Sequence, residues 1–593
     1  MGSDRFLKPN SLLTDFFRKT WYLYVASIFF HLISNTINVF FPKVLGQFTD
    51  KLQIGGLTSK LIVDYSLLLL LIGVGQVLFN GVAMYLVMYV GRKFEFLVRR
   101  GLFKHFTEMS ERFYSKNGVG KLLSYFMNDV TAVRESISMG VNQTANASML
   151  LVASITMMLV SHIPYYLILA SVFPLLLIPI IVVYLGPIIR KRSLEVQEAL
   201  GTMTETAEEQ FGGIRVTKKF AVEDIMIERF GKTVDQIRHN QLRLVRVSSF
   251  FQALIPFLGA IGLIVALSFG GYMTITKQIS LGNFVALTLY IRMLMNPLQQ
   301  IGNVINTIQR SRASLERLNG LLSQRSEIVE LEGAKAVNLD DAGIRIDHLS
   351  FAYEQGGNPI LKDISLRVEP GTTLGIIGRT GSGKTTLMKL LLRTYDPPPG
   401  TIWYGQTDVR EMTLESLRTQ VAYVPQDGFL FSTTIKENIA FSDRERELEA
   451  VEAAAKHAQI YNNIVDLPNK FETRLGERGL TLSGGQRQRT SLARGMIKES
   501  PIMILDDSVS AVDAVTEKDI IDAIQTERND KTTIIIAHRI SAIKHAEQII
   551  VMDDGVIVQR GTHSELLEQQ GLYATLHAIQ EEGSQHATGT SHS

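Results

Sequence analysis

Apolar positions crowd the first half of this 593-residue chain and thin out in the second. Up to about residue 305 they gather into six runs, near 22–44, 66–90, 137–160, 164–186, 250–272 and 283–304. Each run can cross a hydrocarbon core of about 30 Å, which takes roughly 20 helical residues. The third and fourth are parted only by Ser161-His162-Ile163-Pro164, which predicts a tight hairpin. Buried helices of a large soluble protein are the other way to house such runs, and six with so few charges fit that poorly. From Ile344 onward the pattern changes to short Ile/Val-rich strands alternating with helical stretches, as in an α/β nucleotide-binding domain.

Basic residues orient the first half. The loop after the second run carries Arg92, Lys93, Arg99, Arg100, Lys104, Arg112, Lys116 and Lys121, and the loop after the fourth is similarly basic from Arg190 to Lys219. The three opposite loops offer only Lys51, Lys60 and Lys277. Both long basic loops and both termini are therefore expected in the cytoplasm, at a multi-pass cell membrane. Ser11–Trp21 reads as an amphipathic helix on the inner surface, in contact with membrane lipids. Gly118, Gly120, Gly212 and Gly213 interrupt the two long loops. Turns there present Tyr114, Leu122, Phe211 and Phe220 to another domain, or simply close helix–turn–helix packing.

The domain plan is then a membrane domain over 1–310, a polar helical linker over 311–340, a nucleotide-binding domain over 341–581, and a disordered tail over 582–593. A net charge of +2 gives no field that would recruit nucleic acid. With no cysteine, disulfides and thiolate metal sites are excluded, in keeping with a reducing, bacterial-type setting. Met1–Lys19 lacks the apolar stretch and cleavage site of a secretory signal.

The chemistry lies in the second half. Leu374–Ile377 reads as a strand, followed by Gly378-Arg379-Thr380-Gly381-Ser382-Gly383-Lys384-Thr385 and a helix from Thr386. This strand–loop–helix setting turns backbone N–H groups onto phosphates, with Lys384 for the β- and γ-phosphates of ATP and Thr385 for Mg²⁺. A second apolar strand, Ile502–Leu505, delivers Asp506 to the same metal and is followed by Asp507. Farther along, Leu482-Ser483-Gly484-Gly485-Gln486 opens a helix and makes a second anion clamp. One site has no use for two clamps at separate helix starts, so the second is expected to face a nucleotide held by another subunit.

With these motifs in this order, the chain resembles a half-transporter of the ATP-binding cassette (ABC) exporter family over nearly its whole length. The resemblance implies a six-helix membrane domain with long cytoplasmic extensions, fused to an α/β P-loop domain. It implies that Tyr353 stacks on adenine, that Gly378–Thr386, Thr386 included, is the Walker A loop, and that Gln426 senses Mg²⁺ and the membrane domain. Glu477-Arg478-Gly479 matches a cross-subunit coupling loop, Ser483–Gln486 the signature motif, and Ser510-Ala511-Val512-Asp513 the D-loop. His538, after the strand Thr533–Ile536, matches the switch histidine of the γ-phosphate.

One position departs from the family, which carries Glu where this chain has Asp507. Glu polarises the attacking water, and a carboxylate set back by about 1.5 Å is poorly placed for that. The resemblance is closest to the weak-site subunit of heterodimeric bacterial multidrug exporters, and implies a second ABC half-transporter as partner. Amphipathic drugs are the expected cargo; lipid or peptide export with the same motor, or a mainly regulatory ATP-binding role, are alternatives. Within the sixth run Arg292 is a costly charge and a functional suspect, amid Phe284, Tyr290, Met293, Met295 and Pro297. His31 and Gln76 are weaker suspects, read first as contacts between helices.

Overall fold

In the computed structural model the apolar half becomes six long helices: Leu12–Gln53, Ser59–Thr107, Val119–Val160, Tyr165–Gly212, Glu223–Ile275 and Leu281–Leu322. The structure describes residues 12–56, 58–354, 356–476, 479 and 482–589, with side chains at all of these except 299, 301–303, 305, 306 and 582–589. At 42 to 53 residues the helices far exceed a membrane crossing and continue beyond it. Five are long and apolar enough to span; among the described residues the sixth, Leu281–Leu322, does not qualify on hydropathy. The third passes through two π turns, Tyr125–Asp129 and Ser136–Gly140.

The helical stretch expected over Ser11–Trp21 is continuous with the first span, Ser11 itself lying outside the described residues. From Leu12 the residues belong to the first long helix, because no Gly or Pro breaks the chain between them and the span. Leu12 and Phe16 are buried, and Phe16 packs edge-on against Phe94 at 5.1 Å between ring centroids.

Polar groups register the helices against one another where no water competes. His31 Nε2 meets Asn142 Oδ1 at 2.5 Å, and Asn35 Nδ2 donates to Asn146 Oδ1 at 3.0 Å. The Tyr290 hydroxyl donates to the Val39 carbonyl at 2.8 Å. Ser34 donates to the main-chain oxygen of Gln76. Gly282 is needed for contact: a Cβ there would lie 2.1 Å from the Gly46 carbonyl oxygen. Farther along, buried Glu95 takes Arg99 and Arg134, and Asp129 takes Ser314 and Arg317.

The described chain divides into two compact units, one running up to Glu108 and again over Asn117–Arg325, the other comprising Met109–Lys116 and the described residues from Ser326 onward. The sixth helix runs to Leu322, so the start of the 311–340 stretch is helical. The second unit also claims Met109–Lys116 from the first basic loop.

The second unit is built on two sheets. β1 (Ile344–Phe351), β2 (Leu361–Val368), β4 (Ile402–Tyr404) and β5 (Thr407–Asp408) form an antiparallel sheet in the order β2-β1-β4-β5. The other sheet joins β3 (Thr373–Gly378), β6 (Val421–Val424), β7 (Ile502–Asp506), β8 (Thr532–Ile536), β9 (Gln548–Asp553) and β10 (Val556–Gly561). Its order is β10-β9-β3-β8-β7-β6, parallel except for β9–β10. β7 is buried on both faces, which is why Ile502–Leu505 is continuously apolar rather than alternating. Met503 and Leu505 enter one core and Ile502 and Ile504 the other. The final helix, Leu572–Gly589, continues into the stretch that composition assigns to a tail.

Candidate functional site

Ligand-binding loops of parallel sheets gather at the carboxyl ends of the strands. Here the ends of β3, β7 and β8 lie side by side and bring Gly378, Asp506, Asp507 and His538 to one edge. After β3 the chain turns through Gly381 and Gly383 at φ +84° and +98°, conformations that favour glycine. A Cβ on Gly378 would lie 2.0 Å from the Met552 carbonyl oxygen, and one on Gly383 2.7 Å from Leu361. The loop is thus pressed onto the sheet, with Arg379, Thr380 and Gly381 exposed at its crest and Ser382 buried beneath.

The following helix begins at Lys384, two residues earlier than the sequence suggests, because Gly383 supplies the left-handed start. Lys384 Nζ donates to the carbonyls of Gly378 and Arg379 at 2.8 and 2.9 Å, which centres the ammonium in the loop. Burial lowers its pKa, opposed by the nearby Asp506 and Asp507 carboxylates. Thr385 is exposed, its hydroxyl available to a metal, while Thr386 is buried against the Tyr353 hydroxyl at 3.1 Å. Tyr353 stands edge-on to Phe351 and Tyr395. With Arg112, these rings line a cavity of about 180 Å³.

Asp506 is 4% exposed. Burial raises its pKa, and the Tyr423 hydroxyl, donating to Oδ2 at 3.1 Å, pulls it back. Among the described residues no cluster of three or more His, Asp or Glu could hold a metal unaided. Mg²⁺ is bound by few protein groups together with substrate phosphates, a role open to the Thr385 hydroxyl and the Asp506 carboxylate. Removal of the phenol by Tyr423→Phe raises the Asp506 pKa further. Mg²⁺-dependent ATP binding is then expected to weaken by about 10-fold, near the lower value of a hydrogen bond to a charged group. The loss should deepen as pH falls and more Asp506 is protonated; a titration of ATP affinity against pH checks it.

Asp507 sits just past β7 at φ +48°, a region Asp tolerates better than most side chains. Its N–H donates to the Ile536 carbonyl, and its own carbonyl accepts from Gln488 Nε2 at 2.8 Å and Ser510 Oγ at 3.0 Å. Its carboxylate accepts from Gln426 Nε2 at 3.1 Å. The short side chain is therefore fixed at both main chain and carboxylate, and is only 6% exposed.

Ser483 caps the helix Gly484–Met496 through a reciprocal box with Gln486. Ser483 and Gly484 are exposed, while Gly485 is closed in: a Cβ there would lie 2.8 Å from the Ala511 carbonyl oxygen. Asp513 caps the helix Ala514–Glu527 with two hydrogen bonds from Thr516, which hold its pKa down. Glu477 and Arg478 lie outside the described residues.

Three further residues tie these motifs together. Buried Gln488 links the Asp507 carbonyl to the Ala511 N–H, which joins the signature helix to the D-loop. Gln580 donates to the His538 carbonyl and accepts from the Ile540 N–H, so the C-terminal helix grips the exposed histidine's loop. Arg539 binds the Val512 carbonyl and buried Glu517. A Gln on the apolar face of Gly484–Met496 was the only sequence hint of any of them.

Comparison with known proteins identifies the family of both halves. The family described as ABC transporter transmembrane region matches residues 24–298, and the one described as ABC transporter matches 361–510. YheI of Bacillus subtilis, named as a probable multidrug resistance ABC transporter ATP-binding/permease protein, is 34% identical over 94% of this chain and 95% of its own. A Staphylococcus aureus protein named for multidrug export is 33% identical over 84% of this chain and 86% of its own. A solved bacterial Atm1-family ABC exporter with ATP bound superposes with a TM-score of 0.77 at 25% identity, over 95% of this chain and 99% of that one.

Proposed function

Because this chain belongs to the ABC transporter family, with its membrane and ATP-binding regions in one polypeptide, we propose that it exports amphipathic or hydrophobic compounds as half of a heterodimer whose two ATP sites are unequal. Export of drug-like compounds is supported by the names of its relatives, YheI among them. The inequality is carried by one observation: an Asp stands at 507, with its carboxylate held back by Gln426.

In this reading Tyr353 stacks on the adenine of ATP, and Gly378–Thr386 wraps the phosphates, with Lys384 on the β and γ groups. Thr385 and Asp506 would hold Mg²⁺, with Gln426 beside it, and the metal would neutralise charge on the phosphates during transfer. His538 contacts the γ-phosphate from the end of β8. Asp507 is one methylene short of the attacking water, so the site retains ATP and cleaves it slowly. Ser483, Gly484, Gly485 and Gln486, followed by Asp513, face across to the partner's nucleotide and complete a faster site there. Closure of the two nucleotide domains then drives the membrane helices through segments near 113–123 and 211–221.

Steady-state ATPase activity of the purified chain in lipid, alone and with a candidate partner half-transporter, tests this. Little turnover alone and a jump with the partner are expected, lost when the partner's Glu at the position of Asp507 is neutralised. Vigorous turnover by a homodimer of this chain would overturn it.

A further inference from the structure

Lipid-facing helices are apolar on their exposed side, and charge in a membrane helix faces protein or water. The helix Leu281–Leu322 departs from its five companions in this respect. One face, Leu287, Tyr290, Ile291, Leu294 and Leu298, is buried in the membrane-domain core, and the Tyr290 hydroxyl fixes its rotation on Val39. The other face carries Thr288, Arg292 and Asn296 at four-residue steps, which places them one above another. Arg292 and Asn296 are exposed, and no partner reaches either among the described residues.

The charge inventory of the spans gives this face a sign. No Asp or Glu occurs in any of the six apolar runs, and Arg292 and Lys43 are their only Lys or Arg residues. Lys43 is the penultimate residue of its run, where a long cation reaches the interface. Arg292 lies nine residues inside its run, too deep to escape. A cationic cargo would meet no carboxylate from this chain within the membrane. A carboxylate, sulfonate or phosphate would meet a guanidinium suited to bidentate binding. Met293 and Met295 flank Arg292; each packs in part against the membrane-domain core and is half-exposed beside it, where a flexible thioether can adapt to an apolar tail.

We propose that Arg292 lines the transport path and is its specificity-determining residue, selecting amphipathic anions over amphipathic cations. The proposal rests on the exporter reading above and names its substrate class. Arg292 supplies the fixed charge, Asn296 and Thr288 the flanking hydrogen-bond groups, and the methionines the apolar contact.

The test uses the full chain with its partner in inside-out vesicles, and two fluorescent amphiphiles of equal chain length, one a carboxylate and one a trimethylammonium. ATP-driven uptake of the carboxylate should half-saturate at a concentration about 10-fold below that of the ammonium. Arg292→Gln should erase that difference and Arg292→Lys keep most of it. Preference for the ammonium in the unaltered chain would overturn the proposal. So would an unchanged carboxylate half-saturation in Arg292→Gln; weaker subunit association in that variant would then place Arg292 on a partner carboxylate. If neither amphiphile moves while ATP is consumed, the exporter reading fails separately. Equilibrium binding of the same pair to the complex in nanodiscs then decides the charge preference.

Discussion

Asp507→Glu is expected to raise ATP turnover at this chain's own site by about 10- to 100-fold. The added methylene advances the carboxylate by about 1.5 Å, and misplacement by about 1 Å can cost on the order of 100-fold in rate. The main chain is already set for the exchange: the N–H is on Ile536, and the carbonyl is on Gln488 and Ser510. None of those bonds depends on side-chain length. The longer carboxylate does have to displace Gln426, whose amide now donates to Asp507 Oδ2. Gln426 would then be free to follow the metal. Turnover of the chain without its partner, in lipid, reads the effect directly. An unchanged rate would mean that Asp507 already reaches the attacking water.

Gly485→Ala should do the reverse in the proposed complex and abolish nearly all its ATP turnover, by more than about 100-fold on the same positional sensitivity. A Cβ at 485 would meet the Ala511 carbonyl oxygen at 2.8 Å, and backbone on the far side cannot swing away as a side chain would. The start of Gly484–Met496 must lift, and the exposed Ser483 and Gly484 lift with it. Its damage falls on the site the partner supplies with Walker A and Glu. Asp507→Asn in the same complex should change turnover less than about twofold, since that carboxylate already contributes little. Comparable losses from the two substitutions would mean equal sites.

Much of this was legible in the sequence because local physics wrote it there. Six long apolar runs with few charges pointed to membrane helices, and Gly381 and Gly383 mark a loop whose backbone other residues resist. The two buried faces of β7 made Ile502–Leu505 continuously apolar, which pointed at Asp506 and Asp507. What stayed hidden depends on long-range contact. Tyr423 reaches Asp506 across 83 positions, and Gln580 reaches His538 across 42. Neither leaves a periodicity or a spacing to detect. The stretch from Leu12 to Trp21, at the start of the first long helix, is a related case. An amphipathic pattern does not say which neighbour its apolar face meets, and there Phe16 lies against Phe94.

The inequality of the two sites is tested most directly by what nucleotide the working complex holds. The complex would be loaded with radiolabelled ATP, given time for one round at the faster site, then quenched in acid and its bound nucleotide identified. If Asp507 makes this chain's site slow, close to half of the bound nucleotide should remain intact ATP, and Asp507→Glu should convert it to ADP. Complete conversion to ADP with Asp507 in place would contradict the unequal-site mechanism.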